Sequence, residues 1–205
     1  MHKLRTLLVR GRKRTDGLAS PYVLNMTRDS PVASHTVLSK LRTVYADTAP
    51  ELPASECMDH LAAGIDTTGD GLCFLLHRLS QPAAYPTQAA LRAELAAHAG
   101  RGPAALDALP YLDAVVREGL RVDAPIPMSL PRVVPAGGRT VSGAALPGGT
   151  VVSCQPYTLH RLDERVFPEP DVFRPERWLD EEGAQERNQL FFAFAAGGRG
   201  CIGKQ

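Results

Sequence analysis

The chain has 205 residues, 44% hydrophobic and 22% charged, a composition that excludes a disordered polymer and suffices for a sizeable core. With 23 basic and 22 acidic residues its formal net charge is +1, so no bulk electrostatic footprint argues for nucleic acid or an anionic membrane as partner. Four cysteines without metal-pair spacing, no leader with a cleavage site and no uninterrupted apolar run of about 18 residues point to a reducing environment and to no membrane span within these residues.

The first fifty-odd residues are heterogeneous. Their basic cluster, Arg10-Gly-Arg12-Lys13-Arg14, reads as a solvated turn, and one helix is predicted around His35 to Tyr45, where Val37, Leu38, Leu41 and Val44 share a face. From Ser55, with Glu56 and Asp59 suited to a helix start, apolar residues recur through Leu61, Ile65, Leu72, Leu75, Leu76 and Leu79 until Pro82, predicting one long, largely buried helix. A second helix is predicted over Thr87 to Ala99, with Leu91 and Leu95 directed inward. A third runs from Pro110 to Val122, with Leu112, Val115, Val116 and Leu120 as its apolar side and Ala124-Pro125 as its stop. Beyond Pro125 come short β-type runs, Leu130 to Val134, Arg139 to Ser142 and Thr150 to Cys154, separated by glycine and proline turns and expected to form one small sheet. Residues 163–188, rich in Pro, Asp, Glu and Arg, have no sustained period and read as a long irregular segment over a core. The fold class is mainly α with a small β-sheet.

Three segments carry chemistry. In Ala63-Gly64-Ile65-Asp66-Thr67-Thr68-Gly69-Asp70-Gly71 three glycines sit inside a helical pattern, each costing about 1 kcal/mol against alanine. A ligand lying flat on the helix, a local widening that frees a carbonyl, or a close helix crossing would each offset that cost. Glu118 and Arg121, three residues apart, share a helix face and can form a charge-assisted pair. The run Phe194-Ala-Ala-Gly197-Gly198-Arg199-Gly200-Cys201-Ile-Gly203 presents one cysteine beside one arginine in a glycine-rich turn, and the residues after Cys201 are positioned to start a helix. A guanidinium and free N–H groups near the sulfur favour a low-pKa thiolate.

The spacing Phe-x-x-Gly-x-Arg-x-Cys-x-Gly at Phe194, Gly197, Arg199, Cys201 and Gly203 closely resembles the haem-binding signature of the cytochrome P-450 (haem-thiolate) superfamily. Ala63-Gly-x-Asp66-Thr67-Thr resembles its oxygen-binding helix, and Glu118-x-x-Arg121 its third motif. Pro175-Glu-Arg177-Trp178 resembles the element that adds an arginine to that pair. The wording Pro-Glu-Arg-Trp and Cys-Ile-Gly-Lys is similar to the microsomal fungal branch. The resemblance implies haem b ligated through Cys201, an acid–alcohol proton relay at Asp66 and Thr67, and a structural triad of Glu118, Arg121 and Arg177 that fixes the cysteine loop. It also implies propionate contacts at Arg199 and Arg132, and for His160 a hydrogen-bonding structural role rather than iron ligation.

The implied activity is that of a haem-thiolate monooxygenase, inserting one atom of O2 into a small hydrophobic organic substrate with electrons from a separate NADPH-dependent reductase. Full-length relatives are expected at the endoplasmic reticulum membrane, facing the cytosol, with any membrane contact made by segments outside this chain. The expected organisation is a poorly defined helical segment, residues 1–54, followed by a partial haem-binding domain, residues 55–205, of a P-450 fold truncated at both ends. The alternative is a non-catalytic remnant that keeps the motifs without assembling a haem pocket. A relative that isomerises or dehydrates peroxides is a third possibility, against which Thr67 argues, since such chemistry needs no proton relay.

Overall fold

The computed structural model describes residues 19–29, 31–45, 51–100 and 102–204. The basic cluster at residues 10–14 lies outside them. Backbone contacts divide the chain into two compact units, Met1–Asp66 and Thr67–Gln205.

In the first unit, helix α1 spans Ala19–Asp29 and α2 spans Val37–Val44. Helix α1 is not expected from the sequence; it accommodates Pro21 because proline in the first turn removes an N–H that would have no intrahelical partner anyway. The Thr36 hydroxyl caps α2 by accepting the Ser39 N–H at 3.2 Å, and Arg42 donates to the Thr27 carbonyl at 2.5 Å, tying α2 to α1. No residue of α2 is buried, so its expected apolar face is shared between half-buried and exposed positions.

Helix α3 spans Glu51–Ser80. It starts four residues before Ser55, again with a proline, Pro53, in its first turn. The expectation that it is largely buried is corrected. Ile65 and Leu76 are 60% and 63% exposed, and Leu61, Leu72 and Phe74 are exposed as well. Its apolar residues are spread round the cylinder, whereas a helix packed on one side covers only one stripe.

The second unit is organised around α5, Pro110–Val122, which matches its predicted bounds. Its N-terminal residue Leu109 has no side chain able to cap. The Glu94 carboxylate of α4, Tyr85–Ala97, takes over that task by accepting the N–H groups of Tyr111 and Leu112 at 2.8 and 2.9 Å. At the other end Arg78 of α3 grips Asp123 through two bonds of 2.7 and 3.0 Å. Between these ties the glycines allow close contact: a Cβ on Gly119 would lie 2.8 Å from Leu75 Cδ1, and one on Gly71 would lie 3.3 Å from Pro125 Cγ. Gly71 thus serves a close approach, while a Cβ added at Gly64 or Gly69 would meet nothing within 4 Å. Helix α4 carries Leu91 half-buried and leaves Leu95 exposed, so the inward placement expected of Leu95 is corrected; its buried position is Thr87.

The small β-structure expected after Pro125 is present and consists of two separate antiparallel pairs. Strands β1 (Leu130–Val133) and β4 (Val151–Cys154) form one antiparallel pair, with Arg132 opposite Val152, and β2 (Arg139–Val141) and β3 (Ala144–Leu146) form another. The second pair is closed by Ser142-Gly143, both at positive φ (48° and 82°), the geometry of a two-residue hairpin turn. Strand β3 is three residues long, too short for its alternation to register in sequence. A short helix α6, Pro156–Leu159, follows β4; the irregular segment carries a 3-10 turn at Pro175–Trp178 and ends in α7, Ala184–Leu190. No described helix is long and apolar enough to cross a membrane.

Candidate functional site

The buried side of α5 is Ala114, Val115, Glu118, Gly119, Arg121 and Val122, so two full charges face the interior. Glu118 and Arg121 are each 0% exposed, a state that burial alone would make prohibitive. The structure supplies the compensation. Arg121 donates to both Glu118 oxygens at 2.9 Å, a bidentate pair; Arg177, on the 3-10 turn, adds Nε to Oε1 at 2.9 Å. Two further donors join them that no motif announces: Trp178 Nε1 reaches Oε2 at 2.9 Å and the Arg174 backbone N–H reaches Oε1 at 3.0 Å. The Arg121 guanidinium then binds the carbonyls of His160 and Val172, and Arg177 those of Pro168 and Val172. The cluster therefore joins three segments of chain: α5, the turn at His160 and the stretch from Pro168 to Trp178. Burial pushes the Glu118 carboxyl up, but the hydrogen bond and charge of Arg121, the Arg174 N–H and the charge of Arg177 outweigh it and hold the group below its usual range.

His160 lies beside this cluster, fully buried. The Phe192 amide can only donate, and it is 2.9 Å from Nε2; that nitrogen is therefore the acceptor, and Nδ1 carries the proton it gives to the Arg121 carbonyl at 2.9 Å. Burial, with the nearby charges of Arg121 and Arg161, lowers its pKa to about 4 and keeps the ring neutral. The ring stacks on Phe191 at 5.7 Å between centroids.

From Phe191 the chain enters the cysteine loop. The Cys201 N–H bonds the Phe194 carbonyl at 2.8 Å and the Gly200 N–H bonds that of Gly197 at 3.0 Å, closing a tight turn. Gly197 takes φ +64°, the left-handed geometry that favours glycine, while Ala195 reaches φ +55° without being one. After Cys201, Ile202 and Gly203 form a turn.

A cavity of about 540 Å3 brings the motifs together. Thr67, Thr68 and Gly71 of α3 line it, as do Phe194, Arg199, Cys201 and Gly203 of the loop and Arg132 of β1. Leu75, Val116, Leu120, Pro125 and Leu130 supply much of the apolar remainder. Gly197 shapes the turn without lining the cavity, and Asp66 is exposed on α3 outside the lining. No Asp or Glu is among the lining residues, and neither Arg132 nor Arg199 has a carboxylate partner among the described residues. Two exposed guanidiniums without a carboxylate partner, at an apolar cavity with one thiol, fit a flat apolar group that carries two carboxylates and offers a metal to sulfur, which is the chemistry of haem.

The family model described as Cytochrome P450 matches residues 49–205. The chain is 50% identical over 95 residues to a cytochrome P450 monooxygenase, orf2, of Aspergillus niger, covering 46% of this chain and 19% of that protein. It is 40% identical over 152 residues to the cytochrome P450 monooxygenase ABA2 of Pyricularia oryzae (70% of this chain, 36% of that one). Against the cytochrome P450 monooxygenase cloA of Claviceps purpurea the identity is 37% over 185 residues (86% and 35%). These matches span from about a fifth to just over a third of the relatives' length.

Proposed function

The chain belongs to the cytochrome P450 family, and on that basis we propose that it forms the thiolate side and part of the oxygen side of a haem-thiolate monooxygenase site acting on a small organic substrate. The observation that carries this reading is the single cavity that gathers Thr67, Arg132, Arg199 and Cys201 from three distant segments. Haem bound there would supply an iron that activates O2 for insertion of one oxygen atom. In this reading the Cys201 sulfur ligates the iron, and Arg132 and Arg199 neutralise the two propionates. The apolar walls exclude water and admit a hydrophobic substrate. Thr67 Oγ1 holds a proton at the cavity wall, with the exposed carboxylate of Asp66 as its solvent-side supply. Glu118, Arg121 and Arg177 act at a distance, holding the chain that leads into the cysteine loop. Electrons come from an NADPH-dependent reductase, and the complete protein works at the endoplasmic reticulum membrane. The exposure of Cys201 favours a second reading, in which the chain keeps the motifs but no competent haem site.

The test is the absorption spectrum of the purified chain reconstituted with haem, reduced and exposed to carbon monoxide. A red-shifted, thiolate-type Soret band is expected, abolished in Cys201→Ala. No haem uptake, or a band unaffected by Cys201→Ala, would overturn the first reading in favour of the second. Exchange of Arg132 or Arg199 for glutamine is expected to weaken haem binding about tenfold each, the worth of one charge-assisted bond. Haem titration measures this, and changes below about twofold at both positions would remove the arginines from the site.

A further inference from the structure

We propose that His160 is a positioning residue for the cysteine loop, its neutral ring acting as a two-ended strut that transfers the placement of α5 to the chain entering residues 194–201. The proposal rests on the haem-thiolate reading for its functional meaning, but its geometry is independent of it. One end of the ring is anchored in the most tightly held part of the molecule: Nδ1–H donates to the Arg121 carbonyl, and the His160 carbonyl accepts Arg121 Nη1 at 3.0 Å. The other end, Nε2, accepts the Phe192 amide. Phe192 begins the loop and itself lines the cavity, as do Ala193 and Phe194, and the Phe194 carbonyl receives the Cys201 amide. The path from α5 to the sulfur therefore runs through one side chain with its two hydrogen bonds and one backbone–backbone hydrogen bond.

Alternatives for the ring are closed off by its surroundings. Stacking on Phe191 and an edge contact with Phe167 at 6.4 Å fix its plane, so rotation would break both hydrogen bonds and both aromatic contacts together. Without the acceptor at Nε2, the Phe192 amide loses the bond that fixes where the loop leaves α7. The contacts of Glu118, Arg121 and Arg177 cannot replace it, since beyond α5 they end on the His160 carbonyl and on the segment from Pro168 to Trp178 and none reaches Phe192.

The two ends are separable by substitution. A glutamine amide reaches about as far as Nε2 and offers an acceptor to Phe192; an asparagine reaches only as far as Nδ1 and offers a donor to Arg121. In the full chain reconstituted with haem, His160→Gln should retain the thiolate-type carbon monoxide band. His160→Asn should bind haem with at least about a fivefold smaller share of that band. Amide exchange at Phe192, followed by NMR on the haem-free chain, gives a readout that does not depend on haem: protection kept in the glutamine variant and reduced about tenfold or more in the asparagine variant. Equal behaviour of the two variants in Phe192 protection, or a band unchanged in His160→Asn with only a lower unfolding midpoint, would overturn the proposal. If the unsubstituted chain takes up no haem, the haem-thiolate reading fails while Phe192 exchange still decides the strut. Should the asparagine variant not fold, loss of Phe192 protection in a folded His160→Gln chain would overturn it and retention would support it.

Discussion

Glu118→Gln is expected to cost about 3–5 kcal/mol of folding stability, a large share of the roughly 5–15 kcal/mol that a domain possesses. The substitution keeps the shape and removes the charge. Two guanidiniums, Arg121 at 0% and Arg177 at 5% exposure, are then left in the interior without a counter-ion. The amide adds a second fault, because its NH2 group must face at least one of the N–H donors that now converge on the carboxylate from Arg121, Arg177, Trp178 and the Arg174 backbone. Exposed ion pairs give a useful contrast. Arg165→Ala breaks a pair whose arginine side chain is 90% exposed, and a pair so open to water is screened, so little change in stability is expected. Urea unfolding followed by the fluorescence of Trp178, the only tryptophan of the chain, measures both. The Arg117 guanidinium lies 4.1 Å from the centroid of its ring, so the probe sits on the cluster under test. A loss below about 1 kcal/mol in Glu118→Gln would show that the buried charges are compensated in some other way.

Acidification should destabilise the fold in two successive windows. In the folded chain burial keeps His160 neutral down to about pH 4, whereas the unfolded chain takes up that proton near pH 6.5. Between those values only the unfolded state gains the proton. Stability that is complete above about pH 6.5 is therefore lost as pH falls, at about 1.4 kcal/mol per unit and roughly 3 kcal/mol in total. Glu118 acts lower down. Its folded-state pKa is depressed, so its contribution is present above the unfolded value of about 4.3 and is lost as pH falls below it. Unfolding free energies between about pH 7 and pH 4.5 should show the histidine slope in the unsubstituted chain and not in His160→Gln. An equal slope in both would assign the titration to another group.

Much of the site is legible in the sequence because its signals are local. Glu118 and Arg121 are three residues apart on one helix, and helical geometry alone puts them side by side. The cysteine loop is a contiguous spacing of glycines, arginine and sulfur, and the helix from Pro110 to Val122 is bounded by prolines that mark its ends plainly. What escapes sequence reasoning does so through distance along the chain. Trp178 is 60 residues from the Glu118 oxygen it bonds, and His160 joins Arg121, 39 residues before it, to Phe192, 32 residues after it. No periodicity connects such positions. The exposure of α3 is hidden for a related reason: a run of leucines tells that a helix has apolar sides but not which side meets a partner. Pro21 and Pro53 obscure the helix starts, since a residue that breaks a helix in its interior is harmless in its first turn.

The class of this protein, its mainly helical fold and the chemical groups of the site all follow from residue identity and short-range spacing, which the order of the chain encodes directly. Which of those groups meet is a matter of packing. One carboxylate collects five donor bonds, a neutral histidine spans from α5 to the cysteine loop, and Thr67 lines the cavity while Asp66 remains exposed outside its lining. None of these arrangements is written in any one segment, because burial and long-range hydrogen bonding depend on how elements pack, and packing is set by the sum of many weak contacts that no single stretch of sequence contains.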